Sequence, residues 1–343
     1  MGHRSGVISP ADRSNGIDWP SSAHEARRFI LGRLPGSAPV EGLSADAERY
    51  GRVDEPAVLV DPSLIEGNSF RAIRVSSVDQ PRPQSGFSAF LDGTQQISIV
   101  NQREGVPIVW ATICAAIRSR VDRRLIAWPA RPPSVSRRFY VPFRYLGGLV
   151  DELADDSRFV DTANQSRAEA IPSRHPAALM EAALLKIQGD RERLELELAE
   201  AWCAREDGIL YVDGSITGSA VASSAEKVVG VVKTHRRLYA DGDAFRTLVG
   251  LRAGERSSMF RVSPRSRSSV ASWYVRVREP AGHDSLFGLL RVEIAESAAV
   301  TSRADEVSRW IIAEGAPLSL PDGRWDKMAY GIRDTEEFLR AIS

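Results

Sequence analysis

Residues 209–217 read Ile-Leu-Tyr-Val-Asp-Gly-Ser-Ile-Thr, and their reading decides the fold. Four apolar, partly β-branched residues running into Asp213-Gly214-Ser215 predict a buried strand that ends in a turn. A carboxylate at the tip of a buried strand stands at the rim of a sheet, where sites are commonly built. Asp-Gly-Ser is also ordinary turn chemistry, because Asp bonds its own backbone and Gly accepts positive φ. A second copy of the pattern, residues 87–94 with Asp92-Gly93-Thr94, gives a pair of strand-end aspartates rather than one. Residues 87–91 read as a strand, 92–94 as its turn, and 95–101 as an antiparallel return strand.

Outward from these two units the chain alternates strands and helices. Residues 22–34 predict a helix with Ser22 as N-cap. Residues 56–61 and 70–75 read as short strands, followed by a Pro-rich connector at 80–85. Residues 108–117 form an apolar run that periodicity alone assigns either to a strand or to a buried helix. Four prolines between 127 and 142 make that stretch irregular or extended. An acidic and polar stretch at about 151–172 reads as a linker or insertion. Residues 175–204 predict one long helix, its buried stripe formed by Leu184, Ile187, Arg191, Leu194, Leu198, Ala201 and Trp202 at 3.6-residue spacing. Residues 228–232 read as another apolar strand, and 244–251 as a short helix. Residues 258–262, 270–277 and 286–294 form a strand series whose last two members pair as a hairpin. Helices at 304–314 and through Ile342 close the chain. Strands separated by helices give an α/β class: a mixed sheet flanked by helices, with the long helix between the two Asp-bearing strands.

Composition excludes several classes. The chain has 343 residues, 43% of them hydrophobic and 26% charged, as in globular proteins with ample core. No apolar run is long enough to span a bilayer, and the first residues carry no apolar leader region, so a cytoplasmic protein is expected. Two cysteines without metal spacing and five scattered histidines exclude a Cys- or His-based metal centre. No Gly-rich phosphate loop and no nucleophile elbow is present. Net charge is zero, yet residues 118–144 hold eight arginines against Asp122 alone, and 252–278 is similarly Arg-rich. Such stretches either track phosphates or form solvated faces.

Two aspartates a few ångströms apart repel, and one keeps its proton unless a cation lies between them. Mg²⁺ or Mn²⁺ takes oxygen ligands and resolves the conflict, so a third carboxylate is expected nearby. Glu192, Glu195, Glu197 and Glu200 on the long helix are the candidates. Glu195 lies nearest the edge of the buried stripe, Glu197 on the other flank, and Glu192 and Glu200 more toward water.

The order of these motifs resembles the NurA nuclease family. The resemblance rests on Leu91-Asp92-Gly93-Thr94, an acidic helix, Tyr211-Val212-Asp213-Gly214-Ser215-Ile216 and the apolar strand ending at Lys233. It also rests on the pairing of 272–277 with 289–294 and on Tyr330-Gly331-Ile332-Arg333. It runs from about Gly86 to Ile342 without the insertion at about 151–172, giving a domain of 86–343 and leaving 1–85 as an N-terminal extension whose first ~24 residues are expected to be disordered. The resemblance implies an RNase H-like core and Mn²⁺- or Mg²⁺-dependent DNA cleavage. It implies a homodimer docked on a HerA-like hexameric ATPase, in DNA end processing or defence against foreign DNA. Asp92, Glu195 and Asp213 become metal ligands, and Lys233 and Tyr330 further catalytic residues. The family's Pro after the tyrosine and its His eight residues on are replaced by Gly331 and Phe338, which leaves Asp334 or Glu336 to supply an ionisable group. The alternatives are a guide-dependent nuclease of the PIWI type and a catalytically inactive RNase H-like subunit that binds DNA or assembles with a partner.

Overall fold

The computed structural model describes residues 19–34, 36–39, 57–75, 85–147, 153–163, 174–280, 283, 285–297, 300–315 and 327–343. The principal elements in chain order are α1 (Ala23–Arg33), β1 (Phe87–Arg103), β2 (Val106–Val121), β3 (Ser134–Val141), α2 (Pro176–Arg205), β4 (Ile209–Asp213) and β5 (Val228–Val232). They continue with α3 (Gly242–Val249), β6 (Val270–Arg276), β7 (Leu289–Ile294), α4 (Val300–Glu314) and α5 (Tyr330–Ile342). The strands make one mixed sheet in the order β3-β2-β1-β4-β5-β7-β6. β1, β2 and β3 run antiparallel in series, whereas β4 lies parallel to both β1 and β5. The two Asp-bearing strands are therefore direct neighbours.

The first hairpin differs from its expected form. β1 does not turn at Asp92-Gly93-Thr94; it is a single strand of 17 residues that runs through them to Arg103. Asp92 pairs with Ala116 and Gly93 with Ala115 in a ladder with β2 that keeps register from Ala89 to Ile99 and shifts only between Ile99 and Asn101. The reversal falls at Glu104-Gly105, both at positive φ (47° and 79°), the backbone that a two-residue hairpin with right-handed strand twist requires. Gly93 has another reason to be glycine: a Cβ there would fall on the Glu195 carboxylate. The apolar run at 108–117 lies within β2, a strand rather than a helix.

The stretch expected to be a linker contains a strand. Phe159–Asp161 pairs in parallel with β3, and Phe159 stacks on Phe139 at 5.0 Å. Residues 164–173 lie outside the described residues, as do 1–18 and 76–84, including the first part of the expected disordered start and most of the Pro-rich connector. The segment set apart as an N-terminal extension also joins the sheet: Ala72–Arg74 pairs with Glu255–Ser257, and Ser63–Leu64 with Phe260–Val262. α1 begins at the Ser22 cap, whose side chain accepts from Glu25 N–H, and buries Ala26 and Ile30 against Trp110 and Phe139.

Two apolar layers cover the sheet. On one face α2 lays Leu198, Ala199 and Trp202 over Leu91, Ile117, Leu210 and Val212. On the other, Phe90, Tyr211, Val229 and Val231 meet Ile332 of α5 and Ala304, Val307 and Ile311 of α4. Alternation along the strands then puts Asp92, two residues after Phe90, and Asp213, two after Tyr211, on the α5 face. Several of the arginines bind inward. Arg256 is 1% exposed and bridges Glu66 and Asp305, and Arg276 is capped by carbonyls including those of Leu251 and Phe287. Arg118 and Arg120 tie β2 to Asp334 of α5 and Glu314 of α4. Among the described residues no helix is long and apolar enough to cross a membrane.

α5 packs tightly on the sheet at Gly331, where a Cβ would fall into the Phe90 ring. Gly331→Ala is expected to lower stability by roughly 1–3 kcal/mol through overpacking, read as a lower urea midpoint with an unchanged slope.

Candidate metal centre

Asp92, Asp213 and Glu336 each present a carboxylate oxygen, and the three oxygens lie within 4.8 Å of one another. The two aspartates reach this point because β1 and β4 are adjacent and parallel, with Val212 beside Leu91 in register. Glu336 comes from α5, which buries the stripe Ile332, Thr335, Glu336 and Leu339 and so turns one carboxylate toward the sheet. Asp92 is 4% exposed and Glu336 8%.

The charges are barely balanced. Lys233, directly after β5, donates to Asp213 Oδ2 at 2.7 Å. Asp92 Oδ1 accepts from Gly93 N–H at 2.7 Å, but Oδ2 is buried without a hydrogen-bond partner. Burial above all, then the Asp213 carboxylate, push the Asp92 carboxyl well above its ordinary range; Lys233 opposes them. An orphaned buried oxygen among three carboxylates is a donor set that fits a hard divalent cation such as Mg²⁺ or Mn²⁺.

Glu195 approaches from α2, on the other face of the sheet. Its carboxylate occupies the space left by Gly93 and pairs with Arg191, which also donates to Gly93 O at 3.3 Å. Burial raises Glu195 to about 7 despite Arg191, and Asp213 adds to the rise. Glu195 is thus buried and electrostatically joined to the cluster, although the mutual-distance triad is Asp92, Asp213 and Glu336. The other three candidate glutamates of α2 lie away from the cluster. Glu200 accepts from Ser219, Glu192 from Gln188, and Glu197 is exposed.

Of the two acidic residues left open after Tyr330, Asp334 is held by Arg118 at 2.9 Å and Glu336 joins the aspartates. The signal for Glu336 was present as an acid in the apolar stripe of the terminal helix, the same signal that singled out Glu195. Tyr330, at the first position of α5, is 63% exposed, and the structure does not bring it into the cluster.

No family model matches the chain, and comparison with curated proteins gives no match.

A carboxyl group held near 7 in the folded chain, against 4.5 when free, keeps its proton longer folded than unfolded. The stability drawn from the neutral form is complete below pH 4.5, declines as pH rises, and is lost above about 7. Thermal melts in EDTA should therefore fall in midpoint across that window, and Glu195→Gln should flatten the decline. A midpoint that rises through the same window in the unsubstituted chain contradicts the raised values.

Proposed function

We propose that this chain is a metal-dependent deoxyribonuclease with an RNase H-like core, related to NurA nucleases. The observation that carries the reading is the convergence of Asp92, Asp213 and Glu336 within 4.8 Å with a buried oxygen left unpaired. In support of the fold, the two Asp-bearing strands lie side by side in parallel, and the long helix α2 connects β3 to β4 and covers the sheet. Glu336 takes the place left open by the absence of the family's histidine.

Asp92, Asp213 and Glu336 would hold Mn²⁺ or Mg²⁺, with Glu195 modulating the field from the far face. Such an ion, when bound, lowers the pKa of water and stabilises charge on phosphoryl oxygens. The chain's own residues do the rest. Lys233 is a compact cation at a strand end, 2.7 Å from Asp213 and suited to a phosphate oxygen once other charge neutralises that carboxylate. Arg191 keeps Glu195 oriented through Gly93 O. Asp92, raised by burial and then by the Asp213 carboxylate, would have to be deprotonated to ligate a cation, so affinity for the ion would increase with pH.

A HerA-like hexameric ATPase as partner, and a homodimer closed by two-fold symmetry, complete the reading. A net charge of zero provides little long-range attraction to DNA, which favours delivery by a partner over capture. Arginines of 118–144 that are not bound inward are the candidates for contact with the delivered strand.

Purified protein should cut DNA with Mn²⁺ and be silent in EDTA. Asp92→Asn, Asp213→Asn and Glu336→Gln should each reduce cutting by at least about a hundredfold without loss of fold, because each relieves like-charge repulsion. Glu195→Gln should also be impaired, whereas Glu192→Gln and Glu200→Gln stay near the original rate. Full activity in the Asp92 or Asp213 variant would remove the metal reading. Mass in solution, with and without a neighbouring hexameric ATPase, tests the assembly; a monomer whose activity on long duplex ignores the ATPase contradicts it.

A further inference from the structure

Glu293 is a carboxylate with no exposure at all, in a strand that is buried core and apolar but for Glu293 itself and Arg291. It lies on β7 directly opposite Gly230 of β5. Its surroundings are specific. Glu293 Oε2 accepts from Ser215 Oγ at 2.9 Å and from Ile216 N–H at 3.0 Å, and Arg291 lies 2.9 Å from Oε1. Ser215 and Ile216 belong to the turn that immediately follows Asp213.

The neighbouring strand completes the seat. Gly214 N–H donates to Val231 O at 3.0 Å. A Cβ on Gly230 would come within 2.9 Å of Gly214 O and 3.0 Å of the Ile216 side chain, so the turn rests in the space that residue 230 leaves empty. The chain after Asp213 is thereby folded down onto the α2 face, while Asp213 itself stays on the α5 face with Asp92 and Glu336. A buried charge is retained only where donors compensate its desolvation, and here, among the described residues, both hydrogen-bond donors come from this one turn, Oε1 having the Arg291 ion pair alone.

We infer that Glu293 is a positioning residue: through Ser215 and Ile216 it locks the exit of β4, and so fixes where the Asp213 carboxylate is presented. This deepens the metal-site reading and rests on it for what Asp213 does. The arrangement corresponds to the outer partners of metal sites, whose loss weakens the metal although they never touch it.

The test uses the full chain, with Glu293→Gln, which keeps the shape, and Ser215→Ala, which removes one donor and spares the sheet. Glu66→Gln is the control, a loss of charge against buried Arg256 remote from the carboxylates. Two quantities are read: amide hydrogen exchange over residues 214–217, and Mn²⁺ affinity by electron paramagnetic resonance. Expected are exchange at Ile216 about tenfold faster or more in Glu293→Gln, and Mn²⁺ affinity roughly 10- to 100-fold weaker. The Ser215→Ala effect should be smaller in both readings and should not add to that of Glu293→Gln. The Glu66 control should keep the original affinity even where it melts earlier. Unchanged exchange over 214–217 in both site variants overturns the proposal. So does a Glu66→Gln loss of Mn²⁺ affinity equal to that of Glu293→Gln, since the effect would then be one of global stability. A starting protein that does not bind Mn²⁺ defeats the metal reading by itself, and the exchange rates alone then decide for or against the Glu293 lock.

Discussion

Repulsion among buried carboxylates is the constraint around which this structure is arranged. Asp92, Asp213 and Glu336 crowd one point, and Glu195 presses on it through the sheet. Three cations answer them: Lys233 holds Asp213, Arg191 holds Glu195, and Arg340 lies 3.5 Å from Glu336 at the edge of the site. Among the described residues Asp92 finds only a backbone N–H on one oxygen and no hydrogen-bond partner on the other. In a low-dielectric interior such an arrangement persists only if protons or a bound cation relieve it, and if the scaffold is stiff enough to prevent the groups from moving apart.

That stiffness comes from the strands that carry the acids. β1 is 17 residues long and runs past Asp92 without a break, bonded to β2 on one side and β4 on the other. The aspartates are not on a loop that can relax; one is in mid-strand and the other ends a strand pinned at Gly214 by Val231. Close backbone approach replaces side-chain bulk where the elements meet: Glu195 fills the gap at Gly93, and the turn after Asp213 fills the gap at Gly230. Both helices contribute one acid to the site from a largely apolar buried face.

The arginines show how a charge pattern divides between support and surface. Arg118 and Arg120 stand on β2 next to the site, but each is engaged with an acid of a covering helix and lies over an aromatic ring, Phe338 or Phe90. Arg256 and Arg276 are structural ties with almost no exposure. An Arg-rich stretch therefore did not translate directly into a phosphate-binding surface, because the planar guanidinium fork is equally suited to collecting buried carboxylates and carbonyls.

What the sequence determined by itself was mostly periodic. The long helix, the strands at β4, β5, β6 and β7, the terminal helix and the mixed α/β class follow from 2.0- and 3.6-residue apolar spacing. The same spacing brought Glu195 to the buried side of α2 and made Asp92 and Asp213 the residues to watch. It did not decide that Asp92-Gly93 lies within a strand, since Asp-Gly is the dipeptide of turns. The true reason for that glycine is a glutamate about a hundred residues away, visible only when α2 is docked. Nor did it decide between Asp334 and Glu336, two residues apart on one helix. That choice was made by tertiary contact, because Arg118 takes one carboxylate and the sheet face carrying Asp92 and Asp213 receives the other. Periodicity is a property of local geometry, but the convergence of like charges depends on which strands become neighbours, and only the assembled sheet settles that.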